Sequence, residues 1–316
     1  MKENDGTLAK PRRTKMQKVT ILGEKYTLTD MRAGFLLLVP SLVFLAFLFI
    51  YPVIRVVHLS LTNFSMMTGT MEFVGLRNYE YLLRNERFWM SLVNTSFYAA
   101  VKLTLDTSLA LIIALMLDSR VPVKRFLRSA YFAPVVVPIV ASSLIWIWFY
   151  DPTVGPFNQI LTWLGLPTLR WLYHENTALI SILVFSIWKG LGYNIILFLA
   201  GLQNIQDSYL EAARVDGASE WSIFWRVKFP LLRPVTSFIL MIGIINSFKV
   251  FTEVNVMTPK GAESWTLLIV NYIYEQAFTN GRMGRASAAS LLLFIIIFTL
   301  TMLQRLIGAR KSVEIE

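Results

Sequence analysis

The chain contains an uninterrupted apolar stretch, Gly34-Phe-Leu-Leu-Leu-Val-Pro-Ser-Leu-Val-Phe-Leu-Ala-Phe-Leu-Phe-Ile-Tyr-Pro-Val-Ile54, in which none of the 21 residues is charged. A helix that crosses a lipid bilayer needs about 20 apolar residues at about 1.5 Å per residue, so this stretch is long enough to cross alone. The polar leader before it has 33 residues, and both lengths exceed those of a cleaved signal peptide. We therefore expect the stretch to remain as a membrane helix.

Five further stretches have the same apolar character. They cover residues 92–117, 130–150, 177–202, 235–257 and 286–303. Of the 316 residues, 55% are hydrophobic and 16% are charged, whereas soluble domains are about 45–50% apolar and about 25% charged. This composition excludes a water-soluble globule and predicts an all-α membrane protein with six transmembrane helices. Pro134 and Pro138 lie within the third stretch, and prolines are tolerated in membrane helices where neighbouring groups satisfy the carbonyls that they free.

Lysine and arginine are distributed unevenly along the chain. Residues 1–33, 118–129, 203–234 and 304–316 together hold 19 of the 30, whereas the connectors that alternate with them hold six. Basic residues concentrate in cytoplasmic connectors, so we expect both termini in the cytoplasm. The predicted organisation is a basic cytoplasmic leader (1–33), a six-helix domain (34–303) and a cytoplasmic tail (304–316). The net charge of +10 then reflects topology and contact with membrane lipid, and no nucleic-acid partner is expected.

The available side chains exclude several classes of site. The chain has no cysteine, which excludes disulfides, thiolate metal sites and cysteine nucleophiles. It has two histidines, too few for a histidine-rich metal site, and it has no G-x-x-x-x-G-K-[ST] phosphate loop. We therefore predict that this chain binds no metal and no cofactor, and that it does not hold ATP in the usual way.

The connector between the fourth and fifth predicted helices, residues 203–234, is longer and more patterned than a simple link requires, and it is called the coupling segment here. Its sequence predicts a helix, a turn and a second helix. Asp207 or Ser208 is expected to cap the first helix, and Gly217 is expected to end it in a left-handed conformation. Ser219 is expected to cap the second helix.

A motif runs through the coupling segment. It reads Glu211-Ala212-Ala213, three residues, Gly217, nine residues, and then Val227-Lys-Phe-Pro230, where the proline is expected to stop the second helix. It resembles the E-A-A-x-x-x-G-x9-I-x-L-P motif of binding-protein-dependent ABC importer permeases, with Val and Phe in place of Ile and Leu. Further stretches resemble the carbohydrate branch of that family, the maltose and multiple-sugar type. They are Gly201-Leu-Gln203, Asp216-Gly-Ala218, Phe73-Val-Gly-Leu-Arg-Asn-Tyr79, Phe88-Trp89 and Asn94-Thr95.

The resemblance implies a permease subunit that imports a sugar across the bacterial cytoplasmic membrane and is not itself an enzyme. Its implied partners are a second homologous permease, a dimer of ATPase subunits that binds ATP and Mg²⁺, and an extracytoplasmic sugar-binding protein. The residues it assigns to ATPase coupling are Glu211, Ala212, Ala213, Asp216, Gly217 and Pro230.

The resemblance also implies a sugar site midway through the membrane, on the helices before and after the coupling segment. The matching residues are Trp188, Leu191, Gly192, Ile195, Asn246 and Ser247. An aromatic face suits a pyranose ring, a glycine allows close approach, and amides and hydroxyls suit sugar hydroxyls. The alternative is that these small and polar residues serve only helix packing.

Five charged residues lie within the predicted spans. Lys102 and Asp106 are spaced as neighbours on one helix face, as are Lys249 and Glu253, and each pair is expected to neutralise itself. Lys189 has no acid on its own helix. One hypothesis is that this surplus cation faces the pathway and favours an anionic cargo, such as a uronate oligosaccharide or glycerol phosphate. The alternative is that it pairs with an acid on another helix or reaches toward an edge of the membrane.

Three rival functions remain at this point. A secondary transporter would use Asp106 or Glu253 to carry a coupling ion, but it has no need of the coupling segment. A membrane-embedded enzyme would need a catalytic motif, and neither H-E-x-x-H nor G-x-S-x-G occurs. An export permease is disfavoured by analogy with the families that export, which use differently patterned intracellular helices.

Overall fold

A computed structural model describes residues 18–21, 24–118, 124–258 and 265–310. The predicted leader and tail therefore lie partly outside the described residues. The chain divides into two units, the first ending at Val56 and the second beginning at Val57.

Helices dominate the described residues, and one short antiparallel hairpin precedes them. The hairpin pairs β1 (Lys18–Ile21) with β2 (Glu24–Thr27). In chain order the helices are α1 (Leu28–Leu45), α2 (Tyr51–Ser60), α3 (Arg77–Arg84), α4 (Glu86–Asp118), α5 (Lys124–Val136), α6 (Ile139–Phe149), α7 (Pro156–Trp163), α8 (Glu175–Gln203), α9 (Asp207–Val215), α10 (Glu220–Ile223), α11 (Phe229–Leu231), α12 (Arg233–Phe248), α13 (Thr252–Met257), α14 (Ile269–Tyr274) and α15 (Met283–Arg310). Single π turns, Ala46–Ile50, Phe224–Lys228 and Glu275–Thr279, follow α1, α10 and α14.

Four of the predicted membrane stretches lie on continuous helices that are long and apolar enough to cross a bilayer. They are Phe35–Ser60, Glu86–Asp118, Glu175–Gln203 and Met283–Ile307. Two further pairs of helices meet at sharp bends. Phe126–Val136 meets Ile139–Phe149 at 101°, and Glu220–Leu231 meets Arg233–Phe248 at 61°. Counting each bent pair as one span gives up to six spans in the described residues.

The third and fifth predicted spans are interrupted. In the third, α5 ends at Val136 and α6 begins at Ile139, because Pro138 between them has no N–H and cannot continue the hydrogen bonding of the preceding turn. In the fifth, α12 ends at Phe248 and α13 begins only at Thr252. The prolines of the third span are visible in the sequence, but the size of the bend is not.

The centre of the second unit lies between α4 and α8, where small side chains allow close helix packing. Ala110 and Ala114 lie one turn apart on α4 and are fully buried. They belong to one apolar cluster with Phe198 and Leu202 of α8. Because α8 leads directly into the coupling segment, this packing fixes the helix from which that segment projects.

The connectors also carry defined structure. Asn78 donates to the carbonyls of Ser60 and Thr62 at 2.8 and 2.9 Å and so ties α3 to the end of α2. Asn158 makes four hydrogen bonds within residues 152–171, including one from the indole N–H of Trp171 at 2.9 Å. Since both amides are buried, these bonds hold the connectors in single conformations.

One connector helix enters the core. Residues 258–283 are expected from the sequence to form a connector, but α14 within them buries Ile269 and Tyr272. The backbone N–H of Ile269 donates to the hydroxyl of Thr95 on α4 at 2.8 Å. The apolar run Leu267–Val270 is the sequence signal for this burial.

Candidate functional site

The coupling segment folds as two helices, α9 and α10, joined at Gly217. Gly217 has φ +78°, a left-handed conformation that costs an ordinary L-residue about 1–2 kcal/mol. The N–H of Ala218 donates to the carbonyl of Ala213, and that of Gly217 to the carbonyl of Arg214, both at 3.0 Å. These two bonds form the Schellman arrangement that closes a helix end. The prediction that Gly217 ends the first helix is confirmed.

The two predicted helix caps have different outcomes. Ser219 is the N-cap of α10, and its hydroxyl accepts a bond from the N–H of Ser222 at 3.3 Å, as predicted. The predicted cap of the first helix is wrong, because Gln206 occupies the N-cap position of α9 without a side-chain bond. Asp207 is instead the first helical residue, where its charge lies beside the positive end of the helix.

Pro230 does not stop the second helix. The chain continues from α10 through the π turn Phe224–Lys228 into α11, which ends at Leu231. Pro230 is the second residue of α11 and lies within this continuous helical path.

The surface of the coupling segment combines charge with exposed apolar side chains. Glu211, Ala212 and Asp216 are exposed. Val215 is 87% exposed and Trp221 is 72% exposed. An exposed helical segment that carries both apolar and carboxylate side chains has the chemistry of a segment that seats in a groove of another protein.

The coupling segment is linked to two membrane helices. Three residues connect the end of α8 to the start of α9. At the other end, the ammonium of Lys228 lies 4.0 Å from the carboxylate of Asp118, the last residue of α4. Within the segment, the guanidinium of Arg214 lies 3.1 Å from the carboxylate of Glu220 and spans the turn.

The pathway residues predicted on α8 have different surroundings. Ile195 is 1% exposed and packs in the apolar core, and Leu191 packs against the same cluster. Gly192 lies so close to α5 that an added Cβ would fall 2.1 Å from the carbonyl oxygen of Tyr131. Trp188 is 40% exposed. Packing therefore accounts for three of these four residues, and only Trp188 presents a substantial open face.

The pathway residues predicted on α12 also differ from each other. Asn246 is exposed, whereas Ser247 is 2% exposed. Of the two, only the amide of Asn246 is open to a ligand.

The predicted pair of Lys249 and Glu253 does not form. The two residues do not share a helix face, because α12 ends at Phe248 and α13 begins at Thr252. Lys249 is exposed, whereas Glu253 is 8% exposed. Helical spacing in the sequence was misleading here because the break between the two helices falls between the residues.

The predicted contact between Lys102 and Asp106 is present. The ammonium of Lys102 lies 2.5 Å from a carboxylate oxygen of Asp106, and both side chains are largely buried. Lys102 also donates to the backbone carbonyl of Ser186 on α8 at 3.3 Å, and the hydroxyl of Ser186 donates to Glu253 at 3.3 Å. These contacts join α4, α8 and α13 through one polar chain.

Lys189 binds backbone carbonyls. Its ammonium donates to the carbonyl oxygen of Pro134 at 2.5 Å and to that of Val135 at 3.1 Å, both in the last turn of α5. The sequence left open a cation that faces the pathway, a pair with an acid on another helix, or a side chain that reaches toward a membrane edge; in the structure the ammonium contacts the C-terminal end of α5. Pro138 was the available signal, since it lacks the N–H that the Pro134 carbonyl would bind in a continuous helix.

The buried charges balance without a ligand. Lys102 and Lys189 face Asp106 and Glu253, and Glu253 interacts electrostatically with both lysines. The sequence count of three lysines against two acids does not apply to the interior, because Lys249 lies outside this group. Within the described residues, histidine and carboxylate side chains do not gather in groups of three that could hold a metal ion.

Comparison with known proteins gives consistent matches. The family model described as "Binding-protein-dependent transport system inner membrane component" matches residues 106–313. The trehalose/maltose transport system permease protein MalF of Thermococcus litoralis is 33% identical, over 91% of this chain and 97% of that protein. The arabinooligosaccharides transport system permease protein AraP of Halalkalibacterium halodurans is 32% identical, over 88% of this chain and 88% of that protein. A chain in the crystal structure of a bacterial alginate ABC transporter, in complex with an alginate pentasaccharide-bound periplasmic protein, shares the fold. Its TM-score is 0.79 at 21% identity, covering 89% of this chain and 96% of that chain.

Proposed function

The chain belongs to the family of binding-protein-dependent transport system inner membrane components, and we propose that it is the permease subunit of an ATP-driven importer of a sugar or oligosaccharide. An extracytoplasmic binding protein delivers the cargo, a second homologous permease completes the pathway, and an ATPase dimer drives the cycle. The membrane is the bacterial cytoplasmic membrane, with both termini on the cytoplasmic side.

The coupling segment carries this proposal. Its corner is closed by two backbone bonds around Gly217, and its surface exposes Val215 and Trp221 beside the carboxylate of Glu211. A secondary transporter or a membrane-embedded enzyme has no use for a preformed protrusion of this kind. In an ATP-driven importer it seats on the ATPase and transmits the closure of the ATPase dimer to α8.

The energy source follows from what the sequence lacks. No G-x-x-x-x-G-K-[ST] phosphate loop occurs in the chain. ATP and Mg²⁺ are therefore bound by the separate ATPase subunits, and this chain contributes no catalytic residue to hydrolysis.

A sugar or oligosaccharide is the proposed cargo. The names of two relatives refer to trehalose and maltose and to arabinooligosaccharides. The open face of Trp188 suits stacking on a sugar ring. The argument for an anionic cargo relied on a free cation at Lys189, and that ammonium is already bound to two carbonyls.

Reconstitution with the three partners tests the proposal. Proteoliposomes that contain this chain, the second permease and the ATPase should take up a labelled malto- or arabino-oligosaccharide only when ATP is inside and the binding protein is outside. Uptake should continue when ionophores collapse the proton and sodium gradients. Uptake that needs a gradient, or that occurs with this chain alone and no nucleotide, would refute the proposal.

The orientation can be tested separately because the chain has no cysteine. Ser208 in the coupling segment and Gln159 in α7 are both exposed. In intact cells, a membrane-impermeant maleimide should label the Gln159→Cys protein and spare the Ser208→Cys protein. Inside-out vesicles should give the reverse pattern, and equal labelling of both variants from one side would contradict the proposed topology.

A further inference from the structure

The bend in the third span frees backbone carbonyls at the end of α5, among them those of Pro134 and Val135. In a continuous helix the carbonyl of Pro134 would accept a bond from residue 138, which is proline and has no N–H. The carbonyl of Val135 would accept from Ile139, which begins the next helix after a bend of 101°. Carbonyls left unpaired in a membrane interior are costly, so they require another donor.

One side chain supplies both bonds. The ammonium of Lys189 donates to Pro134 and Val135, at 2.5 and 3.1 Å. A cation also suits this position because carbonyl groups give the C-terminal end of a helix a partial negative charge. Lys189 therefore supplies donors to two of the carbonyls at this helix end.

Neighbouring residues of α8 contact the helices on both sides of the bend, α5 and α6. Gly192 lies against the backbone of Tyr131 on α5, with no room for a Cβ. Trp188 packs on Trp146 of α6, with ring centroids 5.1 Å apart. Residues 188–192 of α8 thus contact α5 on one side of the bend and α6 on the other.

The helix that holds the bend is also the helix that leads into the coupling segment, since only three residues separate α8 from α9. We propose that Lys189 is a positioning residue, one that ties α5 to α8 so that the bent third span follows α8 when the coupling segment moves. This rests on the proposed function for its role in transport, whereas the tie itself is a property of this chain.

Transport per ATP hydrolysed is the first test. Lys189→Met keeps the length of the side chain but removes every donor, and it should lower uptake per ATP hydrolysed by about tenfold or more, since a charged donor to two part-buried carbonyls is lost. Lys189→Arg, which keeps charge and donors, should restore most of the wild-type ratio. Lys249→Met, which alters an exposed lysine outside the charged group, should leave the ratio unchanged.

A distance measurement tests whether Lys189 holds α5 against α8, and it does not rely on transport. Spin labels at Phe126→Cys on α5 and Ile196→Cys on α8, both at exposed positions, should give a narrow distance distribution in the assembled complex. The distribution should broaden with Lys189→Met and narrow again with Lys189→Arg. If Lys189→Met prevents assembly, Lys189→Gln, which retains two N–H donors, should assemble and give an intermediate width.

A charge-neutral double variant separates positioning from charge balance. If Lys189 served only to balance Glu253, the combination of Lys189→Met with Glu253→Gln would restore uptake per ATP, and the proposal would be overturned. Unchanged coupling and an unchanged distance distribution in Lys189→Met would overturn it as well. If the wild-type complex took up no sugar but the spin-label distances changed as described, the importer function would be refuted. The contact by which Lys189 holds α5 against α8 would still be supported.

Discussion

The chain turns between two helices at Gly217, which lies between α9 and α10, and at Pro138, which lies between α5 and α6. We call these two turns corners, and in each the named residue does not continue the first helix. At Gly217 the first helix is closed by its own backbone, through the bond from Ala218 to Ala213. At Pro138 the freed carbonyls are closed by Lys189, more than fifty residues further along the chain. A corner closed locally forms wherever its segment is placed, including an exposed surface. A corner closed by a distant side chain forms only when the other helix is already packed against it.

The largest effect is expected at the locally closed corner. Gly217→Val places a β-branched residue at φ +78°, which it avoids, while leaving the membrane helices untouched. ATPase co-purification and uptake should both be lost, with normal insertion. Gly165→Val is the matched control, since that glycine has φ +72°, open space around it and a position outside the coupling segment. Retention of the ATPase by the Gly217→Val complex, measured by co-purification, would show that the angle of this corner is not needed for docking.

The second effect concerns the polar chain next to the distantly closed corner. Asp106→Asn leaves the buried ammonium of Lys102 without its acid, and the free energy of unfolding should fall by about 3–5 kcal/mol. Thermal unfolding in detergent measures this change. Glu80→Gln breaks the exposed pair with Arg84, whose side chains are 60% and 80% exposed, and it should cost less than about 1 kcal/mol. Equal losses in the two variants would mean that burial does not determine what these pairs contribute.

The third prediction tests why residue 192, beside the bend, is glycine: because helix packing leaves no room for a side chain, or because cargo contacts it. Gly192→Ala places a methyl group 2.1 Å from the carbonyl oxygen of Tyr131, and overpacking should lower the free energy of unfolding by about 1–3 kcal/mol. Gly190→Ala is the control, because its Cβ would meet Lys102 at an ordinary contact distance of 3.4 Å. If Gly192→Ala changed the apparent affinity for sugar without changing stability, a direct contact with cargo would be the better explanation.

The smallest effect sharpens the description of the Gly217 corner. The pair between Arg214 and Glu220 spans the turn, but the side chains are 52% and 69% exposed. Arg214→Ala should therefore cost less than about 1 kcal/mol and leave ATPase co-purification close to wild type. Loss as complete as that of Gly217→Val would mean that the ion pair, rather than the backbone, sets the angle.

The same difference between the two corners explains what could be read from the sequence. The end of α9 at Gly217 and the cap at Ser219 depend on residues within a few positions, and both were predicted. Four of the six predicted membrane stretches lie on continuous apolar helices, and they could be predicted because apolar length is itself a local property. The cap of α9 was misassigned because Gln206, Asp207 and Ser208 are adjacent, and local preference does not decide between neighbours.

Contacts between distant helices could not be read in this way. The spacing of Lys249 and Glu253 predicted a pair, but the chain leaves the helix between them. The partners of Lys189 are two backbone carbonyls, and a carbonyl carries no residue-type signal in the sequence. Pro138 showed that carbonyls would be freed, and only the packing of α8 on α5 identifies the donor.

The contact between Trp146 and Trp188 has a spectroscopic consequence. Two indoles with centroids 5.1 Å apart and planes tilted by 47° are close enough for their excited states to couple, which gives a paired positive and negative band in circular dichroism. Subtracting the spectrum of Trp188→Phe removes the contribution of the other tryptophans. The relative orientation of these two side chains, one on α6 and one on α8, can therefore be followed optically in the assembled, unlabelled complex as nucleotide is added.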